Sequence, residues 1–355
     1  MRVHIVYAHP THDGFTGQVL DAFVAGLDEA GHRHTISDLY AMGFDPVLSA
    51  EEYRRESARA ADRPVPDEVV AEQAKLDAAD AWVFIYPVWW TDAPAILKGW
   101  FDRVWTVGYA YGPDHLASGV SLSIARLALV LCTAGHTEQQ LRESGCWQAM
   151  ATTMLTDRVA DRAVTKQFIV LGGSAELDPE QRRDQRAGCL AVAQRLGREL
   201  RYRTYVEMTS PRQLVPSEHP AVIDLVPITG DEARGLMMAI GADWHWPCRE
   251  WDEAAWQLYL AQGLRYHRID AAGAPAGLAV LDLDHPSGVE IETFGLLPAR
   301  IGHRLGGAAL TAVTRLAWDC GARRVWLHTS SRDHPHALLN YLARGFREYD
   351  PSSSA

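Results

Sequence analysis

Three short stretches of the chain carry residue types able to grip a flat, phosphorylated ligand. The first is Ala8-His9-Pro10-Thr11-His12-Asp13-Gly14-Phe15-Thr16, between an apolar run and a helical pattern. Small and hydroxyl residues ahead of a helix aim backbone N–H groups and hydroxyls at a phosphate, with the helix dipole adding attraction. The same residues also serve as plain helix caps. The second is Tyr86-Pro87-Val88-Trp89-Trp90-Thr91-Asp92-Ala93-Pro94, in which two indoles follow a buried strand. There they offer a surface for stacking a planar ring, or for core or subunit packing. The third is Cys132-Thr133-Ala134-Gly135-His136, again small residues at a strand end.

Two further constellations lie near the C-terminus. Ile301-Gly302-His303-Arg304-Leu305-Gly306-Gly307 opens a long helical pattern, and glycines there admit a pyrophosphate to backbone N–H groups. Just before it, Glu290, Glu292 and Phe294 alternate along a strand and so are expected on one face. The carboxylates suit proton transfer, or simply a solvated strand face.

The elements that must position these residues fall in two groups. Residues 3–7, 33–39, 81–86, 127–131 and 167–171 are strand-like and separated by amphipathic helices, the last spanning 178–200. That alternation predicts an α/β fold, a five-stranded parallel sheet sandwiched by helices. Ligands of such sheets bind beyond the carboxyl ends of the strands, where all three stretches lie. Residues 207–220 hold three prolines and read as a linker. The domains are therefore expected at 1–206 and 221–355, the second an α+β unit. In it, strands around 266–269, 278–281, 289–297 and 324–328 surround the glycine-rich turn and its helix. Trp244, His245 and Trp246 read as loop packing.

Composition narrows the possibilities. With 34 Lys and Arg against 45 Asp and Glu, the net charge of −11 argues against a general nucleic-acid binder. No apolar run reaches the ~18 to 20 residues that span a bilayer, and the N-terminus reads as a strand rather than a signal peptide. Five scattered cysteines without CxxC point to the cytoplasm, and fifteen histidines without ligand spacing point to no metal site.

The PxWW…PAILKGWFDRV run (residues 87–104), with HPxxxxFT after the first strand, closely resembles the flavodoxin-like NAD(P)H:quinone oxidoreductases. The resemblance covers roughly residues 1–200. It implies a bound FAD or FMN, with NADH or NADPH as hydride donor and a quinone or nitrogenous compound as acceptor. His9, Thr11, Phe15 and Thr16 would surround the flavin phosphate and ribityl chain. Pro87, Val88, Trp89 and Trp90 would line the ring, and Thr133, Ala134 and Gly135 would cover its pyrimidine side. His136 would stabilise negative charge. Tyr109 and Tyr111 match aromatics that in the family reach the neighbouring subunit's site, implying a homodimer.

From about residue 221 to 349 the order of strand, glycine turn, helix, strand and tyrosine-bearing helix resembles the GNAT N-acetyltransferases. That resemblance implies acetyl-CoA. Phe294, Leu296 and their neighbours would bind pantetheine through the backbone, and Gly302, His303, Arg304, Gly306 and Gly307 would hold the pyrophosphate. Arg304 stands where the family has a glycine. Glu292 is the expected general base and Tyr341 the acid that protonates the departing thiolate. The whole chain thus reads as a bifunctional enzyme. Two other readings are a quinone reductase with a non-catalytic acyl-CoA-binding scaffold, and a flavodoxin-like regulatory subunit.

Overall fold

The computed structural model describes residues 1–112, 122–173, 175, 177–219, 221–244, 246–286 and 288–349. They form two units, Met1–Tyr202 and Arg203–Ala355.

In the first unit β1 (Arg2–Tyr7), α1 (Phe15–Glu29), β2 (Arg33–Asp38), α2 (Ala50–Ser57), α3 (Asp67–Asp77) and β3 (Ala81–Pro87) come in turn. They are followed by α4 (Ala95–Val104), β4 (Ala125–Thr133), α5 (Glu138–Glu143), α6 (Cys146–Ala151), β5 (Ala163–Leu171) and α7 (Pro179–Glu199). The sheet order is β2-β1-β3-β4-β5, parallel throughout. Every residue of β3 is buried, because helices cover both faces. Val3, Ile5, Val83 and Ile85 pack with Phe23 of α1 and Ala193 of α7 on one face. Val6, Trp82 and Phe84 pack with Leu76 of α3 and Trp100 of α4 on the other. Strand order reverses between β1 and β3, which opens a crevice beyond Tyr7 and Pro87.

A polar network lies inside this unit. Glu72, fully buried, accepts hydrogen bonds from Trp100 Nε1 (2.9 Å) and Ser37 Oγ (3.0 Å), and Lys75 is ion-paired to it. His4 Nδ1 meets Thr35 Oγ1 at 2.8 Å, and burial pushes its imidazole down to about 4, against the opposing pull of Glu72. A histidine held neutral in the fold but free to protonate when unfolded makes stability fall as pH drops from about 6.5 toward 4. The slope is at most about 1.4 kcal/mol per pH unit. Denaturant unfolding between pH 7 and 5 should show a smaller loss for His4→Gln than for the wild type. Equal losses would mean His4 does not contribute.

The second unit contains β6 (Arg203–Met208), β7 (Ile223–Pro227), α8 (Gly230–Ile240), α9 (Glu253–Leu260), β8 (Arg265–Ala271), β9 (Ala274–Asp282) and β10 (Val289–Leu296). After these come α10 (Leu305–Asp319), β11 (Val325–Ser330), α11 (Ala337–Ala343) and β12 (Arg347–Tyr349). Its sheet runs β12-β6-β11-β10-β9-β8-β7, with β10 and β11 its parallel pair. The boundary expected after residue 206 therefore moves to Tyr202. β6 inserts between β11 and β12 because Thr204, Val206 and Met208 alternate inward, and the last two join the core of the second unit. The proline-rich stretch is a connection inside that unit, with a short 3-10 turn at Pro211–Gln213.

Candidate functional site

Beyond the carboxyl ends of β1, β3 and β4 lies a cavity of about 340 Å³. The first stretch contributes Phe15, the second Pro87, Val88 and Trp89, and the third Thr133, Ala134 and Gly135. A buried hydrogen bond between Thr16 Oγ1 and Thr133 Oγ1 (2.8 Å) ties the first stretch to the third. Val88 N donates to Thr133 O (2.8 Å), tying the second to the third.

The tryptophans sit on a tight reversal. Trp89 N donates to Asp92 O (2.9 Å) and Asp92 N to Trp89 O (3.2 Å), while Trp90 and Thr91 between them have φ of 52° and 61°. Two bulky residues in the left-handed region store strain that the surroundings must sustain. Arg158, its side chain buried, supplies that support: Nη1 and Nη2 reach the Asp92 carboxylate at 2.9 and 3.0 Å, and its carbonyl accepts from Trp105 Nε1 at 2.6 Å. Partial burial works against the charge, but the Arg158 hydrogen bonds and the Ala93 amide hold the Asp92 carboxyl below its usual range.

The other wall is cationic. Arg182 and Arg186 of α7 line the cavity, and the Arg186 guanidinium lies 5.1 Å from the Phe15 ring. Its buried Nε has no hydrogen-bond partner among the described residues. Gly14 at the start of α1 brings no side-chain cap, so the first-turn amides stay available to an anion.

In the second unit β10 and β11 pair only at Val289↔Val325 and Glu290↔Trp326, then separate. Beyond that point β10 has a ladder partner only in β9 among the described residues. A bulge makes Glu292 the extra residue, since Ile291 pairs with Leu281 and Thr293 with the next residue, Val280. The expectation that Phe294 shares a face with Glu290 and Glu292 is thereby corrected. The bulge breaks the alternation and turns Phe294 to the α11 face, where its ring lies 6.4 Å from that of Tyr341. Glu292 points the other way, accepting from Tyr259 Oη (2.6 Å) and Thr293 Oγ1 (2.5 Å) through Oε2. Burial, with Glu290 adding to it, raises the Glu292 carboxyl above its ordinary range despite those bonds. Burial likewise raises the Tyr341 phenol. At the head of α10, Arg304 adopts φ 59°, ψ 20°.

Comparison with known proteins matches the flavodoxin-like fold family over residues 1–160 and the acetyltransferase (GNAT) family over 238–346. A quinone-dependent ribosyldihydronicotinamide dehydrogenase of Pongo abelii is 37% identical over 158 residues, 41% of this chain and 68% of that protein. The NAD(P)H:quinone oxidoreductase structure from Methanothermobacter marburgensis is 43% identical with a TM-score of 0.51, covering 56% of this chain and 94% of that one. The chain belongs to the flavodoxin-like NAD(P)H quinone oxidoreductase family and carries a C-terminal GNAT domain. NAD(P)H dehydrogenase (quinone) 1 of Cavia porcellus is 40% identical over 124 residues, 31% of this chain, and the chain spans only 45% of its length.

Against this family frame the expected residues divide. Phe15, Pro87, Val88, Trp89, Thr133, Ala134 and Gly135 converge on the cavity. Thr16 sits behind it, and His9 stands beside Trp89 (ring centroids 6.2 Å apart) with its Nδ1 accepting from Thr11 N at 3.1 Å. Trp90 and His136 are outside the lining, Trp90 fully exposed. Tyr111 donates to Glu56 Oε2 (2.6 Å) and is raised to about 12 by burial and that bond. Tyr109 is corrected to a core residue, its hydroxyl donating to Gln73 O at 3.0 Å within its own unit. Gly302, His303 and Arg304 are exposed, Gly306 and Gly307 half-buried, and Asn340 Nδ2 donates to Gly306 O (3.2 Å). His245 lies outside the described residues. Sequence reading missed Arg182 and Arg186, although two arginines four apart on a helix share a face. It also missed Tyr259 and Thr293, whose link to Glu292 depends on the bulge.

The left-handed conformation costs the Cβ-bearing Arg304 roughly 1–2 kcal/mol that a glycine would not incur. Arg304→Gly should leave a net gain of about 0.5 kcal/mol once the freer unfolded chain is counted, read as a higher melting temperature. If the guanidinium meets phosphate, the same variant should bind acetyl-CoA several-fold more weakly in calorimetry.

Proposed function

We propose that the first unit is a flavin-dependent NAD(P)H oxidoreductase and the second an acetyl-CoA-dependent N-acetyltransferase. The observation that carries the first half is the convergence of three strand-end loops on one cavity with an indole on one side and arginines on the other. The uncapped start of α1 and the Arg186 Nε, without a partner among the described residues, fit a flavin phosphate, and Pro87, Val88 and Trp89 fit the edge and face of the ring. When bound, FMN or FAD supplies hydride chemistry between NADH or NADPH and an acceptor. The chain's own part is to fix the ring against Trp89, hold the phosphate with α1, Arg182 and Arg186, and offer Thr133, Ala134 and Gly135 to the polar ring edge. His9, Thr11 and Thr16 brace the first loop, His136, next to Gly135 of the lining, serves the outer, acceptor side, and Tyr111, by the family resemblance, serves the site of a neighbouring subunit. A quinone or a nitro, nitroso or imine compound is the acceptor class.

In the second unit the split between β10 and β11 receives the pantetheine along the free edge of β10 at Phe294 to Leu296. The turn Gly302 to Gly307, with His303 and Arg304, takes the pyrophosphate. Glu292 accepts a proton from the amine, whose nitrogen attacks the thioester carbonyl. A C–N bond forms, the C–S bond breaks, and Tyr341 gives its proton to the thiolate. The raised phenol keeps Tyr341 protonated at neutral pH. Joining the two units in one chain supports a sequence in which the first makes an amine and the second acetylates it. Fully exposed Trp90 on its rigid turn suits burial against a second copy of the chain, testable by sedimentation of wild type and Trp90→Ser.

The absorption spectrum of the purified chain, with the released cofactor identified by mass, tests the first half. Colourless, folded protein that takes up neither FMN nor FAD would overturn it.

A further inference from the structure

We propose that Arg344, held over the head of α10 by an upstream strap of residues 213–217, is a binding residue for the coenzyme pyrophosphate, an inference that rests on the acetyltransferase reading above. The strap lies ahead of the stretch matched to the acetyltransferase family, which begins at residue 238. It is nonetheless fastened to the second unit at three points. Val215 N donates to Arg344 O (2.9 Å), and Ser217 N donates to Thr311 Oγ1 (3.2 Å). The Thr311 hydroxyl in turn donates to Gly307 O at 2.8 Å. Gly345, at φ 93°, admits the third contact, since a Cβ there would lie 1.9 Å from Gln213 O. Arg344 therefore projects from a backbone fixed on both sides of its carbonyl.

The half-buried Arg344 side chain reaches the first turn of α10. A Cβ on Gly307, the third residue of that helix, would lie 2.6 Å from Arg344 Nη1 and 2.8 Å from Ser217 Oγ. Glycine at 307 thus leaves the room that the guanidinium takes. By itself the placement is electrostatically unfavourable. A helix start carries the positive end of the dipole, and cations are favoured at the opposite end. No acidic residue stands in the first turn of α10 to offset it, and the residue before that turn is Arg304, which makes no side-chain cap bond. Among the described residues Arg344 has no ion-pair partner, and its side chain makes one hydrogen bond, from Nε to the adjacent Ala343 O (3.0 Å).

An anion at this turn resolves the conflict. It takes hydrogen bonds from the open amides of α10 and from the Arg344 fork, and its charge turns a repulsive pairing of guanidinium and dipole into an attractive one. The pyrophosphate is the anion the acetyltransferase reading brings to Gly302–Gly307, so Arg344 meets it from the α11 side. The strap supplies no charge of its own to this contact. Its part is to keep the Arg344 backbone and the Gly307 carbonyl in register, through Val215 and Ser217.

The test titrates the full chain, wild type and Arg344→Gln, with three ligands in calorimetry. They are acetyl-CoA, acetyl-dephospho-CoA, which keeps the pyrophosphate but lacks the ribose phosphate, and acetylpantetheine, which has no phosphate and is read by displacement of acetyl-CoA. Arg344→Gln should weaken the first two by about tenfold or more, the loss of a charged hydrogen-bonding partner, and leave acetylpantetheine unchanged. A folding defect would weaken all three alike, so the split between ligands separates binding from structure. Unchanged affinity for acetyl-CoA, a loss confined to acetyl-CoA, or a loss shared by acetylpantetheine overturns the inference while the acetyltransferase reading stands. No binding of acetyl-CoA to the wild type overturns that reading and the inference with it.

Discussion

Glu292→Gln should lower kcat for acetyl transfer by about 10²–10⁴-fold, the range for losing a positioned general base, while acetyl-CoA affinity stays near wild type. The amide keeps the shape and still accepts from Tyr259 and Thr293, so the unit should fold. What it cannot do is take a proton. The location makes this the sharpest substitution in the second unit. The bulge frees Glu292 from the strand alternation, and the split between β10 and β11 opens beside it. Glu292 reaches the α9 side while Tyr341 packs on the α11 side. Tyr259→Phe adds a pH test. Burial already raises Glu292, and the Tyr259 bond lowers it. Removing that bond raises it further, so the base stays protonated to higher pH. The acidic limb of kcat/KM should move upward in pH, and a downward move would contradict the role assigned to Glu292. Activity of Glu292→Gln within a few-fold of wild type would exclude it as the base.

Much of this arrangement was legible in the residues. The alternation of fully apolar strands with helices is the pattern of a sheet covered on both faces, and five parallel strands follow from it. Strand-end loops in such a sheet must meet at one edge, which is why the lining of the cavity could be read from three separate stretches. What stayed hidden depends on register and on distant packing. The bulge at Glu292 shows itself only when β9 and β10 are aligned, and it reverses the side to which Phe294 points. β6 was missed because its partners β11 and β12 lie more than a hundred residues later, while the prolines just after it gave a strong local signal for a linker. Tyr109 and Tyr111 share a motif two residues apart, yet one hydroxyl is claimed by Gln73 and the other by Glu56. Trp89 and Trp90 are adjacent, and the positive φ of Trp90 sends one into the cavity wall and the other to solvent. Side-chain type suggested the chemistry in these cases, and backbone geometry decided which residue delivers it.

Gly17→Ala should weaken flavin binding by about a hundredfold, the equivalent of two charge-assisted hydrogen bonds at roughly 1.5 kcal/mol each. Gly17 is buried in the first turn of α1, where the His12 backbone crosses the helix. A Cβ there would lie 2.0 Å from His12 O and 2.9 Å from His12 Cα. Backbone atoms cannot absorb such an overlap by rotating a side chain, so the loop must lift from the helix. Lifting it pulls His12 from Asp38 (2.6 Å) and Thr11 O from the Tyr7 hydroxyl (3.3 Å), and it misdirects the amides at the start of α1. Overpacking of this kind also costs about 1–3 kcal/mol of stability, so flavin affinity is to be measured by fluorescence titration well below the melting temperature of the variant. Gly14→Ala, three residues earlier, is the matched comparison. Its added Cβ meets only the His9 ring at 3.4 Å and Thr11 Oγ1 at 3.8 Å, and its φ of −82° suits any residue. Near-normal flavin binding by Gly14→Ala with loss in Gly17→Ala would tie affinity to the seating of the first loop on α1. Equal binding by both would mean that the phosphate is held elsewhere, and the arginines of α7 would then be the place to look.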